Sequence, residues 1–200
     1  YNWADYIPQE VIDAFEKEYN CKVVYDTYAS NEEMFAKIKS GGSGYDIVFP
    51  SGDHVKMMID GGLLEKLDMS KIPNFQNVNE IVLSKITYDP NHEYSVPYMM
   101  GTTGIIVNKK YLQNFDKSWS IYERSDLKDR MTLLDDMREV FGAALKYLGY
   151  SVNTTNPDEI EKAKQVILKW KENILKFDAT TYAQGIVNGE FWAVHGYPEN

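Results

Sequence analysis

The sequence is poor in the residues that build covalent or metal cross-links. It has one cysteine, Cys21, and three histidines, His54, His92 and His195, which lie far apart in the chain. One cysteine cannot form an intrachain disulfide, and the histidines lack the close spacing of metal ligands. We therefore expect no metal site and no cofactor, and we expect Cys21 to be a buried structural thiol.

A long hydrophobic run and an excess of positive charge are missing as well. No apolar stretch approaches the roughly 20 residues of a membrane-spanning helix. The 30 acidic and 21 basic residues give a formal net charge of −9, which repels phosphate backbones and argues against a nucleic-acid partner. The 44% hydrophobic and 26% charged residues are the balance of a folded globular protein.

Helical and extended segments alternate along the chain. Apolar spacing and end signals predict helices over about 8–19, 53–60, 136–148 and 157–174. Ser30 and Glu33 form a capping box, which predicts a further helix after residue 30.

Apolar and β-branched runs predict the strands. They lie at 22–25, 45–49, 94–98 and 104–108. The run at 45–49 is of the kind that is buried on both faces of a parallel sheet. The alternation indicates an α/β fold, with a first lobe over 1–100, a second over 101–200 and a hinge at about 100–105.

Candidate binding residues follow the predicted strands or begin a helix. In open α/β sheets, ligands collect at the carboxyl ends of strands. Trp3 and Tyr6 flank the carboxylate of Asp5, and Ser51 and Asp53 follow the run at 45–49.

The carboxylates of Asp136 and Glu139 share one face at the start of a predicted helix. Three interpretations of this pair stay open. They can cap the helix, act as a general acid and base, or hold a cation.

This set of side chains suits an organic dication such as a linear diamine. Its ammonium ends lose water on entering a cleft and need carboxylates and hydroxyls in return. Its methylene stem gains roughly 0.8 kcal/mol for each CH₂ buried against aromatic rings. A cation over a Trp or Tyr ring adds about 0.5–2 kcal/mol.

Six segments of the chain resemble the polyamine-binding periplasmic proteins that serve ABC importers. They are Tyr-Asn-Trp-Ala-Asp-Tyr (1–6), Ser-Asn-Glu (30–32), Tyr-Asp-Ile-Val-Phe-Pro-Ser (45–51), Val-Pro-Tyr-Met-Met-Gly-Thr-Thr-Gly-Ile (96–105), Asp-Asp-Met-Arg-Glu-Val-Phe (135–141) and Leu-Gly-Tyr-Ser-Val-Asn-Thr-Thr (148–155). The resemblance implies a two-lobed α/β fold that closes on its ligand like a clamshell. Because the family continues past the position of Asn200, it also implies that the chain is truncated at its C-terminus.

The resemblance assigns roles to individual residues. Trp3 and Tyr6 would face the methylene stem, and Ser51 would hydrogen-bond an amine. Asp136 and Glu139 would hold ammonium groups from the second lobe. Tyr197 stands where the family usually has a Trp, so stacking would survive with a smaller ring.

Three positions depart from the family pattern and leave the preferred polyamine open. Ala4 stands where relatives have Thr or Ser, which removes a hydroxyl from the amine shell. Asp53 stands where spermidine-preferring relatives can carry a Tyr. Asn200 stands where putrescine-preferring relatives have an Asp.

The resemblance implies a receptor that captures putrescine or spermidine and delivers it to an ABC permease without reacting it. We expect a monomer in the periplasm, or anchored outside the cytoplasm by lipid, with its export signal missing from this chain. Two alternatives remain: a hydrolase that uses Asp136 and Glu139 as a carboxylate pair, and an ectodomain that senses polyamine without delivering it.

Overall fold

The computed structural model describes residues 1–4, 6–41 and 44–197. The chain forms two compact units, Tyr1–Met100 and Gly101–Asn200. Each has a hydrophobic cluster of its own. The division falls inside the segment where we expect a hinge, and hinged closure of two lobes stays a prediction.

The first unit combines short parallel strands with four α-helices. The strands are β1 (Asn2–Trp3) and β2 (Thr27–Tyr28), and the helices are α1 (Gln9–Tyr19), α2 (Asn31–Lys39), α3 (Gly52–Asp60) and α4 (Glu80–Leu83). Two 3-10 turns, Met69–Lys71 and Pro73–Asn77, precede α4. β1 pairs in parallel with β2, and its other edge carries the segment 45–49 through hydrogen bonds from Tyr1 N to Ile47 O (2.9 Å) and from Phe49 N to Tyr1 O (3.2 Å).

The second unit is built on a mixed four-stranded sheet. Its strands are β3 (Gly104–Val107), β4 (Met131–Leu133), β5 (Lys176–Phe177) and β6 (Ala193–Gly196), in the order β3-β6-β4-β5. β4 runs parallel to β5 and β6, while β3 is antiparallel to β6. The helices are α5 (Met137–Tyr147), α6 (Pro157–Trp170) and α7 (Tyr182–Asn188), and 3-10 turns lie at Trp119–Glu123 and Ser125–Leu127.

The predicted helices are confirmed, because their end signals are local. Ser30 Oγ accepts the Glu33 N–H at 3.1 Å and caps α2. Asn156 Oδ1 accepts the Asp158 N–H at 3.0 Å and caps α6, which has Pro157 in its first turn. Such caps satisfy backbone donors that a helix leaves unpaired. Only the predicted extension of α6 to residue 174 is wrong, since the helix ends at Trp170.

The predicted strand at 22–25 is wrong. Pairing starts later, at β2, and the Val24 side chain is 88% exposed. The Val23 N–H donates to Glu16 Oε1 at 2.7 Å, so a side chain takes the donor that a strand partner would need. Cys21 lies in this connection after α1 and is exposed, which corrects the expected buried thiol. A surface connection has no core in which to bury it.

Two further strand predictions need correction. The segment 45–49 bends at Asp46 and does not form a strand, and it is not buried on both faces, since Ile47 is 64% exposed. The segment 94–98 is not a strand because its first backbone donors turn to a side chain. Tyr94 N–H and Ser95 N–H both donate to Asp89 Oδ2 at 2.9 Å. The run at 104–108 does form a strand, β3.

The core of the second unit is the larger of the two clusters. It packs α5 against α6 and the sheet around the fully buried Trp170, Tyr122 and Leu133. Within the described ranges, no helix combines the length and apolarity that crossing a bilayer would need.

Candidate functional site

Several chain segments meet at one edge of the sheet in the second unit. β4 and β6 are parallel, with Thr132 opposite Val194, so both strands end at the same edge of the sheet. β3 starts at that edge because Gly104 pairs with Gly196 at the end of β6. The edge therefore collects the residues just after β4, just after β6 and just before β3, which is where ligands bind in open α/β sheets.

The carboxylates of Asp136 and Glu139 lie at this edge, at the start of α5. Asp136 caps the helix by accepting the Glu139 N–H at 3.0 Å. The Glu139 Oε2 atom accepts the Thr103 hydroxyl at 2.5 Å, and Thr103 directly precedes β3. Both acidic side chains are half-buried. The capping interpretation of Asp136 is thus confirmed, while a role in holding a cation is compatible with it.

The electrostatic field at the N-terminus of α5 stabilises the two negative side chains, Asp136 and Glu139. The N-terminus of a helix carries a partial positive charge that stabilises carboxylates. The cation between them in sequence, Arg138, donates from Nη2 to Asn153 Oδ1 at 2.6 Å. Asn153 belongs to the segment 148–155 that was singled out from the sequence, so this segment holds the guanidinium.

Tyr197 follows β6 at the same edge. Its N–H donates to the Tyr182 hydroxyl at 3.0 Å, which fixes the backbone from which its half-buried ring projects. Gly196 lets the Tyr182 ring approach, because a Cβ at that position would clash with the ring.

Cavities open in the described part of the second unit, and two of them are candidates for part of a site. One of about 240 Å³ is lined by Asp135 and Asp136, by Leu134 and by apolar side chains of α5, α6 and β5. A larger cavity of about 1030 Å³ lies elsewhere, along the segment from Lys109 to Arg124. The smaller cavity is the better candidate for part of a site, because two carboxylates, Asp135 and Asp136, line it at the sheet edge.

The first unit repeats the arrangement at the carboxyl ends of its extended segments. Trp3 and Tyr6 lie at the end of β1, with ring centroids 6.1 Å apart and planes tilted by 33°. The Trp3 indole N–H donates to Phe49 O at 3.0 Å, and the Tyr28 hydroxyl donates to the same oxygen. Burial raises the pKa of the Tyr28 phenol well above its usual value, so this donor keeps its proton.

Ser51 and Asp53 lie at the start of α3. Ser51 Oγ accepts the Asn31 Nδ2 donor at 3.0 Å, and the Ser51 N–H donates to Asn31 Oδ1, also at 3.0 Å. Asp53 occupies the first turn of α3, where its Oδ2 atom lies 3.2 Å from His54 Nδ1. This position suits a carboxylate that stabilises the helix start.

Of the remaining predicted residues, Ala4 lies in an exposed turn after β1. Asp5 and Asn200 lie outside the described residues. The structure thus brings Trp3 and Tyr6 together in one unit and Asp136 and Glu139 together in the other.

Two side chains at the site were missed by sequence reasoning, Asn31 and Thr103. Both fall inside segments that were singled out, 30–32 and 96–105, but neither has a spacing or charge that marks it. Only the fold brings Asn31 to Ser51 and Thr103 to Glu139. Within residues 1–4, 6–41 and 44–197, no group of three or more His, Cys, Asp or Glu side chains could hold a metal ion.

Comparison with known proteins matches residues 10–200 to the family described as bacterial extracellular solute-binding protein. The chain belongs to this family. A relative from Salmonella typhimurium named spermidine/putrescine-binding periplasmic protein is 43% identical over 199 residues, covering 96% of this chain and 57% of the relative. The putrescine-binding periplasmic protein SpuD of Pseudomonas aeruginosa is 37% identical, covering 98% of this chain and 57% of that protein.

Among solved structures, the Tp0655 (TpPotD) lipoprotein of Treponema pallidum is similar over the whole chain. The TM-score is 0.93 with 52% sequence identity, covering 100% of this chain and 63% of that one. The match confirms the predicted α/β fold of periplasmic binding proteins. The chain spans 57% of the length of the two relatives named above.

The family also bears on location and chemistry. Its description as extracellular confirms the expected location outside the cytoplasm at the level of the family. The relatives are named as binding proteins, and the hydrolase alternative built on Asp136 and Glu139 finds no support among them.

Proposed function

We propose that this chain belongs to an extracytoplasmic receptor that binds a polyamine, putrescine or spermidine, and delivers it to an ABC permease without chemical change. Carboxylates of the second unit would take the ammonium groups. Aromatic rings of the first unit would cover the stem, and the Ser51 hydroxyl would hydrogen-bond an amine. The hinge at 100–105 would allow the two units to close on the ligand.

One observation carries the proposal: Asp136 caps α5 and Glu139 lies in the first turn of the same helix, in a chain that is 43% identical to a spermidine/putrescine-binding protein. An ammonium group needs anionic acceptors in return for its lost water. Glu139 is already fixed by Thr103, so it would need little reordering to accept such a donor. Pre-ordering of this kind lowers the entropic cost of binding.

The first unit supports the proposal with surfaces for a hydrocarbon stem. The Trp3 ring is held by its hydrogen bond to Phe49 O and by packing against Tyr28, whose ring centroid is 4.7 Å away. A rigid ring loses little freedom when it covers a methylene chain. The carboxylate of Asp53 and the missing hydroxyl at Ala4 are the two described features that would tune the choice of amine.

The test is calorimetry of the protein in its natural full length with putrescine, cadaverine, spermidine and spermine, at two salt concentrations. We expect at least one amine to bind, to bind less tightly at high salt, and to be recovered unchanged. Absence of binding by all four amines would reject the proposal, and a converted amine would reject the claim that the protein does no chemistry.

Two variants test the carboxylates. Asp136→Asn and Glu139→Gln keep the shape of each side chain but remove its charge. Each should weaken the preferred amine at least tenfold, a loss of about 1.4 kcal/mol. Because an Asn can also cap a helix, Asp136→Asn should cost little stability. If both variants bind like the parent protein, the carboxylates do not belong to the site.

A further inference from the structure

Ser51 occupies a helix cap position without capping the helix. It is the residue before α3 and has the extended backbone of an N-cap (φ −66°, ψ 157°), yet its side chain accepts no hydrogen bond from the helix. Ser30 holds the same position before α2, and its hydroxyl does cap, accepting the Glu33 N–H. A Ser cap contributes about 1 kcal/mol of stability, so the Ser51 hydroxyl is turned away from a favourable local partner.

The partner of Ser51 is a nearly fully buried amide. The Asn31 side chain belongs to a residue that is 4% exposed and makes two bonds to Ser51, one to the hydroxyl and one from the backbone N–H, each 3.0 Å long. The two bonds together fix both the direction of the amide and the position of the hydroxyl. Since Asn31 is itself anchored as the first residue of α2, one helix start sets the geometry of another.

This pairing determines what the Ser51 hydroxyl can offer. A serine oxygen has two lone pairs and one proton. The Asn31 Nδ2 donor takes one lone pair and leaves the second lone pair and the proton. Ser51 is exposed, so the second lone pair and the proton can meet a polar group that arrives from solvent.

We propose that Asn31 is a positioning residue for ligand recognition. It holds the Ser51 hydroxyl away from the start of α3, so that the second lone pair of the Ser51 oxygen can accept a hydrogen bond from an amine N–H of the ligand. The inference rests on the proposed function and adds to it a residue that does not touch the ligand. Without Asn31, the hydroxyl would rotate to its local partner at the start of α3 and be lost to the ligand.

A double-mutant cycle in the full-length protein tests this coupling. Ser51→Ala and Asn31→Ala should each weaken the preferred polyamine about tenfold. The double variant should be no weaker than Ser51→Ala within about twofold, because Asn31 acts only through the hydroxyl. Losses that multiply to about a hundredfold would overturn the proposal, since a purely structural role of Asn31 would act independently of Ser51.

A measurement on the parent protein covers the case in which Asn31→Ala does not fold. The side-chain amide of Asn31 should show an NMR shift that saturates with the polyamine. Asn173, whose Nδ2 donates to Tyr122 O at 2.9 Å in the second unit, provides the control and should not shift. An Asn31 amide that is unchanged at saturation would also overturn the proposal.

The outcomes separate this inference from the proposed function. If the parent protein binds none of the amines, the function itself fails and the role of Asn31 fails with it. If the parent protein binds and the cycle is additive, the function stands and the role of Asn31 is wrong.

Discussion

Short polar side chains hold the acidic and hydroxyl groups of the candidate site. Thr103 holds Glu139, and Asn31 holds Ser51. Thr and Asn have few rotatable bonds, so they fix a neighbour at a small entropic cost. The groups proposed to meet a ligand are therefore ordered by the fold before the ligand arrives.

Thr103 gives a test at a single atom. Thr103→Val removes the hydroxyl and keeps the shape, so Glu139 loses the donor that fixes its Oε2 atom. We expect affinity for the preferred polyamine to fall about tenfold in calorimetry, because the carboxylate must be ordered on binding.

Thr103→Ser is the matched control, since it keeps the hydroxyl and should bind within about threefold of the parent protein. An equal loss in Thr103→Ser, which keeps the hydroxyl, would show that the hydrogen bond to Glu139 does not explain the loss in Thr103→Val. Equal affinity in all three proteins would show that the hydrogen bond to Glu139 does not contribute to binding.

Sequence reasoning reached the charged and aromatic residues but not their supports. Asp136 and Glu139 could be proposed because two acids three apart share a helix face, and Trp3 because it and Tyr6 are aromatic residues that flank a carboxylate. Asn31 and Thr103 could not, since their function depends on partners that are 20 and 36 residues away in the chain.

At the level of elements, helices were predictable and most strands were not. Three helices, α2, α5 and α6, can be predicted from their N-caps at Ser30, Asp136 and Asn156. Each cap accepts a backbone N–H that is at most three residues away in the chain. A strand needs a partner strand for its backbone N–H groups. In the runs at 22–25 and 94–98, backbone N–H groups donate to the side chains of Glu16 and Asp89 instead. Alternation of apolar residues cannot reveal that competition.

The loop from Asp89 to Ser95 depends on one buried carboxylate. Asp89 is 3% exposed and accepts the backbone N–H groups of Glu93, Tyr94 and Ser95 and the Ser95 hydroxyl. Burial alone would raise the pKa of this carboxyl, but the hydrogen bonds outweigh it and the pKa is lowered. The carboxylate thus stabilises the fold at neutral pH. This stabilisation is full above the pKa of the carboxyl in the unfolded chain, and it is lost as the pH falls from there through the lowered pKa of the folded protein.

Asp89→Asn should destabilise the protein by about 3 kcal/mol in urea unfolding at pH 7, because an amide NH₂ replaces an acceptor among backbone donors. Asp126→Asn is the control. Asp126 is an exposed carboxylate paired with Arg124, and because solvent screens such a pair, its loss should change stability little. Similar costs for the two variants would show that the Asp89 network does not hold the loop.

For the whole molecule, stability rests on two separate hydrophobic clusters, of which the second unit has the larger. A buried histidine, His195, packs against Trp119 at this cluster. His195 lies in β6, is 0% exposed, and meets the Trp119 ring edge-on with ring centroids 4.9 Å apart. Desolvation by burial lowers the pKa of His195 to about 4, so the ring is neutral in the folded protein at pH 7.

His195 should therefore make the second unit sensitive to mild acid. The unfolded chain takes up a proton near pH 6.5 and the folded chain only near pH 4, so stability is full above pH 6.5 and falls as the pH drops between these values. Linkage gives a loss of about 2 kcal/mol from pH 7 to pH 5, measurable by urea unfolding. His195→Phe keeps a flat ring against Trp119 and should remove most of this loss. If the variant loses as much stability as the parent protein, other groups carry the pH dependence, since a phenyl ring cannot bind a proton in either state.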